Sequence, residues 1–489
     1  MAIPVQTFFL HPGATGTLQA RIQQMVAEGV LSGRLRRGEK MPSTRALARH
    51  LGVSRLTVAL AYTELLASDY LTSRQRSGHF ISDNAPAPAG FPPAARQERV
   101  DWARAIGQRF AGGAVPERPQ DWASYRYPFI YGQTDPQLFD HASWRLCAVQ
   151  ALGARDFRAM TQDYYDRDDP ELVEFITRQT LPRRGISARP EEVLITLGAQ
   201  NALWLAAQVL LTPERTAALE DPGYPALRAI LAQTRCRIAP VAVDAQGLPP
   251  EAIPDGTGVI FTAPSHQCPT SATLPMARRE ALLARARALD AIVVEDDYEF
   301  EMAYLTPALP ALKSLDPDGR VVHVGSFSKS LFPGLRLGYL VGSEPFIREA
   351  RALRAAVFRH PPGHVQRTAA HFLRLGHHDS LVRRIGRALT ERRAVMEAEI
   401  ARAGLTIAGV GAHGGSSFWM MAPPGIDTGA LAETLRADSV LIEPGAPFFL
   451  RLDPPRSHYR LGYTSIPTDR IGPGITRIAE ALARACGRG

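Results

Sequence analysis

Residues 325–339 read GSFSKSLFPGLRLGY and follow the apolar run Val-Val-His-Val at 321–324. The run has the character of a buried strand, so Lys329 falls in the turn beyond its end. A lysine held in a turn can form a Schiff base with an aldehyde. Ser326 and Ser328 flank it, and Arg336 follows in the same segment. Hydroxyls and a guanidinium so placed can hold a phosphate. Alone, a Ser-Lys-Ser turn is structural more often than not. The scarcity of lysine sharpens the case: the chain has only Lys40, Lys313 and Lys329, and Lys313 reads as part of an ordinary loop.

Two upstream segments fit the same ligand. "VVEDDYEF" (293–300) ends a strand at Asp296. A carboxylate there can keep a pyridine nitrogen protonated and make the ring an electron sink. Tyr298, two residues on, points the same way along an extended chain and can bond a ring hydroxyl. Asp297 points away and reads as a helix or turn cap. "EVLITLGAQNALWLAAQVLL" (192–211) is a strand, a Gly-Ala-Gln turn and a helix. Ala199 and Gln200 therefore lie at a helix N-terminus, a natural phosphate cradle. Aldehyde, ring nitrogen and phosphate together are the needs of pyridoxal phosphate.

Further out, "EVLITL", "TAALED", "GVIFTA", "AIVVED" and "VVHVGS" read as buried strands, with helices such as 200–211 and 276–289 between them. The alternation predicts an α/β unit with a mainly parallel sheet. The N-terminal part reads differently. Three short helical patterns, capped at Ser43 and Ser54 and turned at Gly52, precede a hairpin over 71–82 with Gly78 near its tip. That order describes an α+β winged helix-turn-helix. Residues 84–125, rich in Ala, Pro and Gly, read as a tether with a short helix near Trp102–Phe110. The expected domains are 10–83, the linker 84–125, and 126–489.

The chain has 489 residues, 45% hydrophobic and 21% charged, and a net charge of +8. Length argues for more than one folding unit. No apolar run is long enough to span a membrane, and the first residues lack a secretory pattern. The four cysteines lie far apart, which predicts neither a metal site nor a disulfide framework and fits a cytoplasmic setting. Residues 1–84 hold ten Lys/Arg against five Asp/Glu. This concentration suits a polyanion, although charge alone fits a solvated basic face equally.

In a helix-turn-helix the second helix enters the major groove by its N-terminus. Here that end reads Ser54-Arg55-Leu56-Thr57. Arg55 can reach a guanine edge, while Ser54 and Thr57 can donate to phosphates. Arg45 lies in the preceding helix, and Arg74 and Arg76 flank the wing. An interaction module with solvated arginines is the alternative reading.

The stretch LSGRLRRGEKMPSTRALARHLGVSRLTVALAYTELLASDYLTSRQRSGHFI (31–81) resembles the winged helix of GntR-family regulators. The resemblance implies that Arg45, Ser54, Arg55, Thr57 and Gly78 face DNA. Residues 126–489 resemble fold-type I aminotransferases, whose smaller C-terminal subdomain is α+β. By this resemblance Lys329 is the lysine that holds pyridoxal phosphate as an internal aldimine. Asp296 faces the ring nitrogen, Tyr298 the ring hydroxyl and Tyr224 the ring face. Ala199, Gln200, Ser326, Ser328 and Arg336 form the phosphate cup. "APSHQCPTSATLP" passes the ring hydroxyl, with His266 and Gln267 as candidates. Arg460 pairs with a ligand carboxylate.

A winged helix tethered to such a domain resembles the MocR-type regulators. That resemblance implies a transcription factor, a DNA operator, and a head-to-tail homodimer. An amino-compound effector would be sensed by external aldimine formation. The alternative is a working aminotransferase with an accessory DNA module. Asp168, Leu172-Val173, Ser271 and the arginine-rich 381–393 depart from the family pattern. They are expected near subunit contacts and the ligand mouth, and they argue against efficient transamination.

Overall fold

The computed structural model describes residues 3–10, 16–74, 77–86, 100–108, 110, 119–409, 411 and 413–487. The chain divides into two compact units, Met1–Arg109 and Phe110–Gly489. Most of the expected tether, and Arg76, lie outside the described residues. The short helix expected near Trp102–Phe110 spans Trp102–Ala105.

The small unit holds α1 (Leu18–Leu31), α2 (Thr44–Leu51), α3 (Arg55–Ala67) and the hairpin β1 (Leu71–Arg74) with β2 (Gly78–Ile81). Hydroxyls cap all three helices. Thr17 accepts from the Ala20 N–H, Ser43 from Ala46 and Ser54 from Thr57. Each cap satisfies a backbone donor that the first turn leaves without a partner. Gly52 ends α2 at φ +67°, a conformation that favours glycine. Val58, Ala61, Tyr62 and Leu65 turn inward from α3, and the Tyr62 hydroxyl donates to the Pro42 carbonyl at 2.9 Å. Residues ahead of position 10 join this core: Phe8 is buried, and His50 Nε2 lies 2.9 Å from its carbonyl oxygen.

The large unit is built on seven strands: β3 (Val193–Thr196), β4 (Thr216–Asp221), β5 (Arg237–Ala242), β6 (Thr257–Thr262), β7 (Ile292–Asp296), β8 (Val321–Ser326) and β9 (Gly338–Val341). Their spatial order is β3-β9-β8-β7-β6-β4-β5. All neighbours pair parallel except β9, which runs antiparallel to β3 and β8. Apart from the edge strand β5, which is largely exposed, both faces are buried and the strands alternate between clusters on opposite sides. Ala217, Leu219, Val259, Phe261 and Val294 pack with α4 (Ala199–Leu210) and α5 (Pro225–Thr234). Ala218, Ile260, Val293 and Val321 pack with α6 (Met276–Ala288). The parallel arrangement gathers the carboxyl ends of β7 and β8 on one edge, where ligands bind in open α/β sheets.

A smaller C-terminal sheet has β10 (Thr406–Ile407), β11 (Ser417–Met421), β12 (Glu443–Pro444) and β13 (His458–Gly462) in the order β10-β11-β13-β12, all antiparallel. Register sets Glu443 directly opposite Arg460.

Seven non-glycine residues among those described have positive φ, Ser271 among them. Ser271 sits at φ +60°, where a Cβ costs about 1–2 kcal/mol. Part of that gain on replacement is offset by glycine's greater freedom in the unfolded chain. Ser271→Gly is expected to raise stability by about 0.5–1 kcal/mol in denaturant titration.

Candidate functional site

A cavity of about 380 Å³ opens at the carboxyl edge of the large sheet. Its lining contains Ala199, Gln200, Tyr224, Asp296, Tyr298, Ser326, Ser328, Lys329, Arg336 and Arg460. Of the residues that the sequence assigned to a cofactor or a ligand acid group, these ten are brought together, and His266 and Gln267 are not among them.

Lys329 follows the end of β8 and lies with Nζ 3.7 Å from the centroid of the Tyr131 ring. Loss of water pushes its pKa down to about 8, opposed by the charge of Glu299. A neutral amine is thus accessible near neutral pH, as a nucleophile requires. Gly132 brings the backbone close: its φ is +80°, and a Cβ there would stand 3.1 Å from Nζ. The other lysines are elsewhere. Lys313 donates to the Val321 carbonyl at 2.9 Å, and Lys40 belongs to the small unit.

Asp296 ends β7. Burial, then the charges of Asp297 and Glu220, push its carboxyl up to about 8. Its Oδ1 is buried without a hydrogen-bond partner, and so is Ser328 Oγ. Leaving such atoms unsatisfied is costly. A ring-nitrogen cation would satisfy the first and a phosphate the second. The backbone completes the cradle. Gly198 opens α4 at φ +85° with no side-chain cap, so the first N–H groups of the helix are available to an anion. A Cβ on Gly198 would stand 3.3 Å from the Arg336 guanidinium. Arg336 Nη2 donates to the Leu197 carbonyl at 3.0 Å, and Ser326 Oγ accepts from the Ser328 N–H at 3.2 Å. These residues fit pyridoxal phosphate. When bound, that group supplies an electrophilic carbonyl and a ring able to take up electrons.

Tyr224 and Tyr298 both line the cavity. Burial pushes Tyr224 up to about 12. The Tyr298 hydroxyl donates to the His266 carbonyl at 3.0 Å, so its oxygen is left to accept. His266 and Gln267 do not line the cavity. Gln267 is occupied in shaping its own turn: its amide donates to Glu220 and to the Pro222 carbonyl, and its Oε1 accepts from the Thr270 N–H. The ring nitrogens of His266 are buried without partners. Cys268 is the residue of that segment that reaches the cavity, its thiol pushed up to about 11 by burial.

Arg460 is held on several sides. Its Nε donates to Glu443 Oε2 at 2.8 Å. Its guanidinium lies 4.0 Å from the Tyr131 ring centroid and 4.7 Å from that of Phe448, with Cys268 Sγ 3.8 Å from Nη1. Tyr131, Cys268 and Glu443 were not singled out from sequence. Gly132 was the available signal for the first, since glycine permits close approach. For Glu443 the signal exists only in strand register.

Asp297 points away from the cavity, but it is no cap. It takes a two-pronged contact from Arg184, at 2.7 Å from Nε and 3.2 Å from Nη2, with both residues buried. The family departures also fall outside the cavity lining. Asp168 is buried against Arg351 and Arg354 and accepts from the Ile195 N–H. Leu172 and Val173 are core. Arg384, Arg392 and Arg393 bond loop carbonyls. These positions support the framework rather than the ligand mouth.

In the small unit, Arg45, Ser54, Arg55 and Gly78 are exposed and Thr57 is half-buried. Among the described residues no ion pair engages Arg45 or Arg55. Gly78 has φ +99° and pairs with Arg74, whose guanidinium lies 4.5 Å from the Phe80 ring centroid.

Residues 145–478 match the family model for aminotransferase class I and II, and residues 18–81 match that for the gntR family of bacterial regulatory proteins. The chain belongs to the MocR-type regulators, in which these two parts are joined. It is 59% identical over 483 residues to the HTH-type transcriptional regulator TauR of Rhodobacter capsulatus, covering 99% of this chain and 100% of that one. It is 30% identical over 390 residues to the probable rhizopine catabolism regulatory protein MocR of Rhizobium meliloti, covering 78% and 76%. Among solved structures it is similar to the α-aminoadipate aminotransferase LysN of Thermus thermophilus, complexed with N-(5'-phosphopyridoxyl)-L-leucine. There the TM-score is 0.71 at 25% identity, over 80% of this chain and 100% of that one. Among the described residues no helix is long and apolar enough to cross a membrane.

Proposed function

We propose that this transcriptional regulator holds pyridoxal phosphate covalently on Lys329 and reads an amino compound at the same site. Lys329, Asp296 and Ser328 in one cavity carry the reading, because two of them hold buried polar atoms without partners that this cofactor satisfies. Asp296 pairs with the ring nitrogen, and the Gly198 turn with Ser326, Ser328 and Arg336 grips the phosphate. Tyr224 covers the ring and Tyr298 accepts from its substituent. With the cofactor bound, an effector amine would compete with the Lys329 amine for its carbonyl carbon, releasing Lys329 as a free amine, and its acid group would meet Arg460. A second copy of the chain, arranged head to tail, completes the regulator. Its winged helices grip an operator through Arg45, Ser54, Arg55, Thr57 and the Gly78 wing. An amino compound with differential affinity for two dimer arrangements would then shift operator binding.

The test is a panel of amino compounds added to the loaded full-length protein, read by the visible spectrum and by operator affinity together. The expected result is at least one compound that moves both, with Arg460→Ala weakening its effect at least tenfold. Arg55→Ala should weaken operator binding by roughly 1–3 kcal/mol, the worth of a two-pronged base contact. Steady conversion of amino donor and keto acceptor, with operator binding indifferent to every compound, would instead favour an aminotransferase with an accessory DNA module.

A further inference from the structure

The leading turns of α3 carry one long side chain able to hydrogen-bond a base edge, Arg55. The Ser54 and Thr57 hydroxyls bond each other at 2.8 Å, and Ser54 also caps the helix. The outward side then presents Leu56 and Leu60, with Thr63 and Glu64 exposed in the following turn. Leu56 is 69% exposed and Leu60 is 46% exposed, one turn apart on the same side. Neither belongs to the core of the small unit, which Val58, Ala61, Tyr62 and Leu65 fill from the opposite side of α3. Two leucines thus project from the very helix whose N-terminus enters the major groove in a winged helix-turn-helix.

The major groove offers one apolar group on its base edges, the C5-methyl of thymine. We infer that Leu56, with Leu60 behind it, reads thymine methyl groups beside the base contacted by Arg55. The surroundings favour duplex DNA as the occupant over another protein. The neighbouring cations Arg45 and Arg55 engage no acid among the described residues, and residues 1–84 carry twice as many basic as acidic side chains. A phosphate backbone supplies the missing charge, and the groove floor supplies the apolar contact. Lys40 makes a useful contrast. Its backbone pairs with Phe80, and its Cε would lie 3.7 Å from a Cβ on Gly78, so it sits at the wing. A charge there meets phosphates, which carry no sequence information.

The inference rests on the DNA-binding reading, and the experiment separates the two. Duplexes bound by the full-length protein are selected from a random pool. Each thymine of the selected operator is then replaced by uracil, which removes only the methyl group. Wild-type protein should lose about fourfold in affinity at one or more positions, the worth of one buried methylene. Leu56→Ala should bind the thymine operator more weakly and be indifferent to uracil at those positions. Lys40→Ala should weaken thymine and uracil operators alike. Alanine is at least as good a helix former as leucine, so the exposed substitution leaves α3 folded, which circular dichroism checks. Uracil tolerated at every position by the wild type, or equal uracil sensitivity in Leu56→Ala, would overturn the inference while leaving DNA binding intact. A pool with no enriched duplex would overturn both.

Discussion

Lys329→Ala is expected to give a folded protein without the lysine-linked visible band, from which gel filtration strips pyridoxal phosphate. The wild type should keep both band and cofactor. Lys329 is the only one of the three lysines in the cavity, so no other lysine can take its place. Folding is not at risk, because the buried amine opposes it. A lysine whose folded pKa is about 8, against the ordinary 10.5, penalises the folded state in full below pH 8. The penalty fades as pH rises from 8 to 10.5. Cofactor-free Lys329→Ala should therefore melt higher than the cofactor-free wild type at pH 7, with the gap closing toward pH 10. The variant should still bind its operator and ignore amino compounds. An unchanged lysine-linked spectrum would refute the assignment.

The second large effect lies behind the cavity. Arg184→Leu is expected to destabilise the protein by roughly 3–5 kcal/mol, because it strands a buried carboxylate. Arg184 grips Asp297 with two nitrogens and also donates to Ser265 Oγ at 2.9 Å and to the Leu309 carbonyl. Burial alone would raise the Asp297 carboxyl, yet the guanidinium holds it below the usual carboxylate range. Its contribution is therefore present above the ordinary carboxylate pKa and lost only as pH falls through the depressed value. Adding Asp297→Asn to Arg184→Leu should recover part of the loss, since a neutral amide is cheaper to bury than an unpaired charge. Equal stability of the single and double variants in denaturant titration would contradict this account. Asp297 also raises Asp296, so the pair links framework stability to the carboxyl that faces the cavity.

Much of this was legible in the sequence because strong local rules coincide there. Five β-strand runs stood out as unbroken apolar stretches, since a sheet buried on both faces needs no polar alternation. Two strands of the large sheet escaped. Arg237–Ala242 is an edge strand interrupted by Pro240, and Gly338–Val341 is short and reverses direction. The site residues in turns after strands were readable because a turn fixes which side chains reach the ligand. Tyr131 and Glu443 were not, because they arrive from distant segments. In the segment that carries Cys268 the resemblance pointed to His266 and Gln267, but the tight turn spends the Gln267 side chain on itself and delivers the thiol. The departures at Asp168 and in 381–393 could not be interpreted until their partners, 130 or more residues away in several cases, became visible.

The tethered carboxylate opposite Arg460 changes what admission to the cavity demands. A solitary guanidinium in such a recess would be open to chloride, bicarbonate and every passing metabolite anion. With Glu443 already anchored across the strand, a newcomer contends with a resident rival whose local concentration never falls. On the proposed reading, a small anion arriving at Arg460 would compete with that carboxylate, and an effector that also engages the site through its amine would compete better.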